Sequence, residues 1–246
     1  MVMNVKPTEQ LSMVIPMYNE EENVEPLVTE VCQALAAHPD FELIVVDDGS
    51  KDATPQKLQQ LIKKYPHLRV LRHKRNLGQS VGVFSGVQAA TKPWIVTLDG
   101  DGQNDPKDAI KLAQAAENNM KIDKPLLVAG NRVNRKDSGW KKFGSKFANS
   151  IRRWFLKDDC PDTGCGIKLF QRDVFLTLPH FNHLHRFLPA LFKRAGGCII
   201  NVPVNHRPRT RGQSKYGNLG RLWVGITDLL GVAWLIRRPC NSEIEE

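Results

Sequence analysis

Two aspartates and a glutamine follow a short apolar segment near the middle of the chain. Residues 94–98 have the pattern of a β-strand, and Asp99, Asp101 and Gln103 come directly after it. Oxygen ligands suit Mg²⁺ and Mn²⁺, which are usually held by one or two carboxylates together with substrate phosphates. The spacing therefore favours a divalent cation bound with a nucleoside diphosphate. A solvated turn after a strand uses the same residue types, so this segment alone leaves both interpretations open.

A second acidic cluster has the same layout upstream. Residues 41–46 have the pattern of a buried strand that ends in Asp47 and Asp48, before a predicted helix. A third strand, residues 11–16, runs into a polar segment in which Asn19 or a neighbour can cap a helix with an acidic first turn. Ligands of open α/β sheets bind at the carboxyl ends of strands, so these three strand ends are expected to converge. Carboxylates grouped there could bind a base and a ribose as well as a metal ion.

The chain has the size and pattern of one α/β enzyme domain. It has 246 residues, 41% of them hydrophobic, and its apolar strands alternate with helical segments. A further strand is expected at residues 126–130. Five cysteines without paired CxxC spacing indicate ordinary thiols in a reducing compartment and no structural zinc. Residues 1–10 lack a long apolar region and a charged leader, so no secretory signal is expected.

The chain is basic, which calls for an anionic partner. Its formal net charge is +9 and its pI is near 9.4. Nucleic acid, an anionic membrane surface and a phosphorylated substrate are the candidates. The basic residues are concentrated towards the C-terminal half, without the aromatic stacking motifs or zinc modules of nucleic-acid readers. This distribution favours an enzyme that acts on phosphates at a membrane and binds no nucleic acid.

A helical pattern rich in small residues follows Gly78. Within it, Gly82 and Gly86 lie four residues apart. That spacing would let a helix approach the sheet closely and place its positive N-terminus near a diphosphate. Close packing alone explains the glycines equally well, and the two interpretations are compatible.

Two stretches could lie along a membrane surface. Residues 219–236 are apolar but contain Arg221 and Asp228. A central charge is costly in a spanning helix, so an interfacial helix is the better interpretation, with a core-packed helix as the alternative. Residues 133–157 are basic and amphipathic and allow the same two interpretations.

Four segments together are far more specific than any one of them. They are residues 14–20, 46–52, 76–78 and 98–106. In this order and spacing they resemble the inverting glycosyltransferase family 2, and within it the polyprenyl-phosphate glycosyltransferases of the dolichyl-phosphate mannose synthase type. The resemblance covers roughly residues 10–236.

The resemblance implies an α/β fold of the GT-A type. Such a fold has a Rossmann-like, mostly parallel sheet flanked by helices, here followed by a C-terminal amphipathic interface helix. The implied division is a catalytic domain over residues 1–216 and an interface helix with a tail over residues 217–246.

The resemblance also implies roles for the acidic motifs. Asp48 would contact the base or ribose, and Asp101 and Gln103 would hold Mn²⁺ or Mg²⁺. Gly100 fits the small residue that the family usually has between the two aspartates. The residues expected around the nucleotide sugar are Pro16, Tyr18, Asn19, Glu20, Asp47, Asp48, Gly78, Asp99, Gly100, Asp101 and Arg132.

A second set is expected around the acceptor phosphate. Residues 209–216 resemble the family's mobile basic loop, which closes over the donor and acceptor phosphates. Both phosphates are anions, so cations must offset their repulsion, although a basic run is otherwise usually a solvated face. The expected acceptor-phosphate residues are Arg132, Lys146, Asp162, Arg209, Arg211, Ser214 and Lys215. The expected catalytic residues are Asp99, Asp101, Arg209 and Lys215.

These roles imply a metal-dependent, inverting transfer of a sugar from a GDP- or UDP-linked donor to a polyprenyl phosphate. The enzyme would lie at the cytoplasmic face of a membrane, attached peripherally or with help from a membrane protein. A phosphate is already ionised near neutral pH, so its attack needs no strong base. Two alternatives remain open: transfer to a hydroxyl group of a saccharide or protein with Asp162 as the base, and a catalytically silent nucleotide- or membrane-binding module.

Overall fold

The computed structural model describes residues 5–38, 40–133, 152–208 and 218–238, with side chains from residue 224 onward in the last stretch. The strands in these ranges are β1 (Leu11–Met17), β2 (Phe41–Asp47), β3 (Leu68–Arg72), β4 (Trp94–Thr97), β5 (Leu126–Arg132), β6 (Lys168–Gln171) and β7 (Cys198–Val204). The helices are α1 (Glu21–Ala34), α2 (Thr54–Lys64), α3 (Gln79–Ala89), α4 (Asp108–Glu117), α5 (Arg172–Thr177), α6 (Leu188–Arg194) and α7 (Asn218–Ile236). A 3₁₀ turn covers Leu184–Arg186, and residues 152–156 are also helical.

The described strands form one sheet in the order β3-β2-β1-β4-β6-β5-β7. Every neighbouring pair is parallel except those of β6, which runs antiparallel to both β4 and β5. The alternation of apolar strands and helices predicted a mostly parallel sheet flanked by helices, and the structure confirms it.

Helices cover both faces of the sheet, which explains why its central strands are buried and mostly apolar. β2 and β4 are buried at every position. One hydrophobic cluster packs α1, α2 and α4 against the sheet. The other cluster packs α3, α5, α6 and α7 against the opposite face. The core therefore has two layers, one on each face of the sheet.

The reversal of β6 determines what reaches the carboxyl edge of the sheet. Thr97, the last residue of β4, pairs with Lys168, the first residue of β6. The segment before β6, residues 158–167, therefore meets the edge at which β4 and β5 end. An all-parallel order would have placed this segment at the opposite edge.

Helix α3 lies unusually close to the sheet. A Cβ atom at Gly82 would lie 2.9 Å from Cβ of Pro16, and one at Gly86 would lie 2.3 Å from Cγ1 of Val14. Neither distance leaves room for a methyl group, so the glycines are required for close packing. The same helix begins at the carboxyl edge of the sheet, so both interpretations of its glycines are compatible with the structure.

The C-terminal helix α7 is amphipathic. Val232 and Ala233 are buried in the second cluster, whereas Leu230 and Trp234 are 56% and 62% exposed. Asp228, the charge that disfavoured a spanning helix, lies 2.8 Å from Nδ1 of His183. Among the described residues, no helix combines the length and hydropathy that crossing a bilayer requires.

Candidate active site

The loops after β1 and β2 are joined into one unit by hydrogen bonds between them. The backbone N–H of Asn19 donates to Oγ of Ser50 at 2.9 Å, and the N–H of Lys51 donates to Oδ1 of Asn19 at 2.8 Å. The N–H of Glu20 donates to Oγ1 of Thr54 at 2.9 Å. Asn19 has a positive φ of 50°, a conformation that asparagine tolerates better than most residues. Two of the expected nucleotide-sugar residues, Asn19 and Glu20, therefore help to fix this edge.

The cap of α1 comes from the neighbouring loop. Glu20 occupies the cap position without a side-chain cap bond, and Oδ2 of Asp52 accepts from the N–H of Glu21 at 3.1 Å. The sequence predicted a cap from Asn19 or a neighbour. Asn19 instead uses its side chain to hold the second loop, because the two loops are adjacent in space.

Asp48 is buried and accepts hydrogen bonds from the loop after β3. Its Oδ1 accepts from the N–H of Leu77 at 2.9 Å, and its Oδ2 accepts from the N–H of Gly78 at 2.8 Å. Nδ1 of His73 lies 2.7 Å from Oδ1, and Nε2 of His73 lies 2.9 Å from Oγ of Ser85. The structure thus gives Asp48 a loop-shaping role in addition to its predicted contact with the nucleoside.

A cavity of about 560 Å³ opens beside these loops. Its lining residues are Tyr18, Gly49, Ser50, Lys51, Arg72, His73, Lys74, Arg75 and Asn76. Tyr18 was expected here from the sequence. Residues 72–75 were missed, although the basic run immediately before Asn76 was the available signal. An aromatic ring among cationic side chains suits a base and the negative charge attached to it.

Asp47 fixes one of these cations. Its Oδ1 accepts from the N–H of Ser50 at 2.9 Å, and its Oδ2 lies 3.1 Å from Nε of Arg72. Asp47 is fully buried, whereas the side chain of Arg72 is 58% exposed. Asp47 therefore ties the end of β3 to the loop after β2, and both contribute to the cavity.

Asp99 lies in the loop that follows β4, against the segment that precedes β6. Nε2 of Gln79 donates to its Oδ1 at 2.7 Å, and a Cβ at Gly166 would lie 2.1 Å from its Oδ2. Burial and the nearby Asp101 raise the pKa of Asp99 to about 6, although Lys168 acts in the opposite direction. The carboxylate of Asp99 is therefore costly to ionise in the absence of a cation.

Asp101 and Gln103 provide oxygen atoms that fit a hard divalent cation. The N–H of Gln103 donates to Oδ1 of Asp101 at 3.1 Å, and Nε2 of Gln103 donates to the carbonyl oxygen of Arg207 at 3.2 Å. With its NH₂ group held in this way, Gln103 presents its amide oxygen as the atom that can face a cation. The described residues contain no cluster of three or more His, Cys, Asp or Glu side chains that could hold a metal ion. A cation at this pair would take its remaining ligands from a diphosphate and water.

Three basic side chains hold the segment before β6. Nε and Nη2 of Arg132 donate to Oδ2 and Oδ1 of Asp162, both at 2.7 Å. Nε of Arg152 lies 2.9 Å from Oδ2 of Asp158. Nζ of Lys168 donates to the carbonyl oxygen of Thr163 at 3.1 Å. Arg132 and Asp162, both expected near the acceptor, are thus brought together as partners of one another.

Several predicted site residues lie outside the described ranges. They are Lys146, Arg209, Arg211, Ser214 and Lys215.

The thiols of Cys160 and Cys165 are buried, and burial raises the pKa of both, that of Cys165 to about 11. Both cysteines are therefore protonated thiols near neutral pH, as the sequence suggested.

This chain is similar in sequence to a known protein family and to a named protein within the same class of enzymes. The family model described as glycosyl transferase family 2 matches residues 12–178. A dodecaprenyl-phosphate galacturonate synthase from Rhizobium johnstonii is 35% identical over 233 residues, which are 93% of this chain and 68% of that protein.

Two solved structures are similar to this chain in three dimensions. Glucosyl-3-phosphoglycerate synthase from Mycobacterium tuberculosis, crystallised with Mg²⁺ and uridine diphosphate, has a TM-score of 0.68 at 17% identity, covering 93% of this chain and 79% of that one. TarS from S. aureus, residues 1–349, has a TM-score of 0.58 at 18% identity, covering 92% of this chain and 65% of that one. These structural likenesses show a GT-A fold. The match to the family model and the similarity to the Rhizobium johnstonii protein show that this chain belongs to glycosyl transferase family 2.

Proposed function

We propose that this chain transfers a sugar from a nucleoside diphosphate to a polyprenyl phosphate, with inversion at the anomeric carbon. The name of the similar Rhizobium johnstonii protein, a dodecaprenyl-phosphate galacturonate synthase, supports this acceptor class. The oxygen donors of Asp101 and Gln103 support a divalent cation, Mn²⁺ or Mg²⁺, as the cofactor.

The observation that carries the proposal is the pairing of Asp162 with Arg132. Transfer to a hydroxyl group would need a carboxylate base, and Asp162 is the candidate that the sequence offers. Both of its oxygens already accept short hydrogen bonds from a guanidinium group, so each is engaged by a cation and not by an acceptor hydroxyl. A phosphate acceptor is already an anion and needs no such base.

The roles of the residues follow from charge. The cavity that contains Tyr18 and Arg72 would hold the nucleoside, and the loops joined by Asn19 and Asp48 would fix its walls. A cation bound by Asp101 and Gln103 would neutralise the diphosphate as it leaves. Arg209, Arg211 and Lys215 of the basic loop would offset the repulsion between the two anions. The new bond joins a phosphate oxygen to the anomeric carbon while the bond from that carbon to the nucleoside diphosphate breaks.

We propose that the chain attaches peripherally to the cytoplasmic face of a membrane, and the outer face of α7 supports the attachment. Ile226, Leu230 and Trp234 recur every four residues and are exposed. Trp154 is 75% exposed. Arg194 donates through Nε to the carbonyl oxygen of Leu235 at 3.1 Å, which ties the end of α6 to the end of α7. An apolar helix face that is followed by basic residues suits the interface of an anionic bilayer.

A product analysis tests this function. The purified chain is incubated with Mn²⁺, a short polyprenyl phosphate, a saccharide and a peptide, and a panel of UDP- and GDP-linked sugars. We expect a polyprenyl-phosphate sugar of inverted configuration from at least one donor. Transfer only to a hydroxyl group would favour the alternative acceptor class. Donor binding without any transfer would favour a silent binding module.

A further inference from the structure

Arg207 contacts Gln103 through its main chain. The N–H of Arg207 donates to the carbonyl oxygen of Gln103 at 2.9 Å, and the carbonyl oxygen of Arg207 accepts from Nε2 of Gln103 at 3.2 Å. An antiparallel bridge between Asn104 and His206 extends this pairing by one residue. The backbone around Arg207 therefore fixes both the main chain and the side-chain amide of Gln103.

The side chain of Arg207 fixes its own backbone. Its Nη1 and Nη2 donate to Oε2 and Oε1 of Glu30 at 2.9 and 2.7 Å, and Nη2 lies 3.0 Å from Oδ2 of Asp105. Glu30 belongs to α1, whereas Asp105 belongs to the same loop as Gln103. A planar guanidinium group is suited to this two-sided contact, which an ammonium group cannot reproduce.

We propose that Arg207 is a positioning residue that orients the amide of Gln103 towards the divalent cation. The inference rests on the proposed function, since it assigns a role at the cation site of that function. The two ends of a glutamine amide have opposite polarity, and only the oxygen can coordinate a cation. The carbonyl of Arg207 accepts from the NH₂ end, so the oxygen end is the one left to face the site. The contacts of the Arg207 guanidinium group with Glu30 and Asp105, called the clamp below, hold that carbonyl in place.

Residues that hydrogen-bond to a metal ligand and hold it in place have a measurable effect on the affinity for the metal. Their loss typically weakens metal binding about 10- to 100-fold. In this chain the clamp joins α1, the loop after β4 and the segment after β7, so its removal breaks side-chain contacts among all three. Arg207→Ala is therefore expected to weaken Mn²⁺ binding by about 10-fold or more, even though Arg207 itself is not a ligand.

The test measures binding of Mn²⁺ alone to the full chain, through the electron paramagnetic resonance signal of free Mn²⁺. Arg207→Ala, Gln103→Ala and the double variant are compared with the unsubstituted chain. We expect each single variant to bind Mn²⁺ more weakly, and the double variant to bind no more weakly than Gln103→Ala. This non-additivity separates positioning through Gln103 from a general loss of structure. The Mn²⁺ affinity of Arg207→Lys is expected to be intermediate, because lysine keeps the positive charge but lacks the planar guanidinium group that contacts Glu30 through two nitrogens.

Arg172→Ala is the matched control. Arg172 also donates to two acceptors, the carbonyl oxygens of Val87 and Gln88, but at the opposite edge of the sheet. It should bind Mn²⁺ as the unsubstituted chain does. If Arg207→Ala does not fold, Glu30→Gln takes its place, since it weakens the clamp and removes no contact to Gln103.

Three results would overturn the inference. They are unchanged Mn²⁺ affinity in Arg207→Ala or its replacement, additive losses in the double variant, and Mn²⁺ affinity that does not depend on Gln103. Failure of the proposed function would look different, because it would appear as the absence of lipid-linked product from the unsubstituted chain.

Discussion

Arg132 and Asp162 form a bidentate ion pair in which Nε and Nη2 of the arginine donate to the two carboxylate oxygens at 2.7 Å. The N–H of Arg132 also donates to Oδ2 of Asp162, at 3.3 Å. The side chains are only 13% and 12% exposed, so water screens the pair little. The end of β5 is thereby fixed to the segment that leads into β6.

The first prediction concerns the role of Asp162. Asp162→Asn leaves the Arg132 charge largely buried without its partner, so the free energy of unfolding should fall by about 3 kcal/mol. If the acceptor is a phosphate, the remaining transfer activity should keep the pH profile of the unsubstituted enzyme. Chemical denaturation and initial rates across pH measure the two quantities.

Asp173→Asn is the control for this change. Asp173 also pairs with an arginine, Arg172, but its side chain is 80% exposed, so little stability should be lost. If the fall in rate at low pH disappeared in Asp162→Asn, the prediction would be contradicted, because Asp162 would then be identified as a base.

The second prediction concerns the cation site. Asp101→Ala removes a carboxylate expected to bind the cation, so turnover with Mn²⁺ present should fall by about 100-fold or more. The measurement is the initial rate of lipid-linked product formation. Asp123→Ala, at an exposed position in the loop between α4 and β5, should leave the rate unchanged. Near-normal turnover in Asp101→Ala would reject the assignment of Asp101 to the cation.

The third prediction is a pH dependence of stability that arises from Asp99. Its folded-state pKa of about 6 lies above the ordinary value of 3.8, so the folded state binds more protons than the unfolded state between these values. The stability that protonation provides is therefore complete below about pH 4 and is lost as the pH rises through 6. In metal-free buffer, Asp99→Asn should be more stable than the unsubstituted chain at pH 7.5, by roughly 3 kcal/mol.

Thermal and chemical unfolding at several pH values measure this difference. Asparagine can still accept from Gln79, so the gain should shrink towards zero at pH 4. An equal gain at both ends of the range would show that Asp99 ionisation is not its cause.

The fourth prediction concerns the packing of α3. Gly86→Ala would place a methyl group 2.3 Å from Cγ1 of Val14, so the helix or the sheet must shift, at a cost of about 1–3 kcal/mol. Gly231→Ala in α7 is the matched control, since a Cβ there meets nothing within 4 Å. The control should be neutral or more stable by up to about 1 kcal/mol, because alanine favours helices. Equal stability of the two variants in urea denaturation would contradict the close packing.

The fifth prediction concerns the outer face of α7. Leu230→Glu combined with Trp234→Glu should reduce co-sedimentation with vesicles of phosphatidylcholine and phosphatidylglycerol by about 10-fold or more, since burying either charge in the bilayer interface is costly. Ile122→Glu changes an exposed apolar residue in the loop between α4 and β5 and should have no effect. Equal loss in both variants would indicate a general effect of negative charge.

The central strands could be predicted from the sequence because they are buried, mostly apolar runs. β1, β2, β4 and β5 begin at the predicted residues and end within two residues of the predicted ends. β3 was missed, because Arg69 and Arg72 interrupt its short apolar pattern. The order of the strands and the reversal of β6 depend on pairing between distant segments, which no local pattern records.

The site was predictable to the extent that its residues follow strands. Asp99, Asp101 and Asp48 were placed at the strand ends from the sequence alone. Their partners were not, because the contact of Asp48 with Gly78 and that of Gln103 with Arg207 join loops 30 and 104 residues apart. The sequence therefore predicts which groups gather at the edge of the sheet, and the folded chain determines which of them bind one another.

The antiparallel course of β6 also affects how the family can vary. Residues 158–167 approach the sheet ahead of a strand, whereas the loops that contain Asn19, Asp48 and Asp101 depart from one. An insertion or deletion in residues 158–167 would change the segment that precedes β6. It would leave the lengths of the loops after β1, β2 and β4 unchanged. Under the proposed function, we therefore expect length changes in residues 158–167 to alter which acceptor is used, since Asp162 lies within this segment.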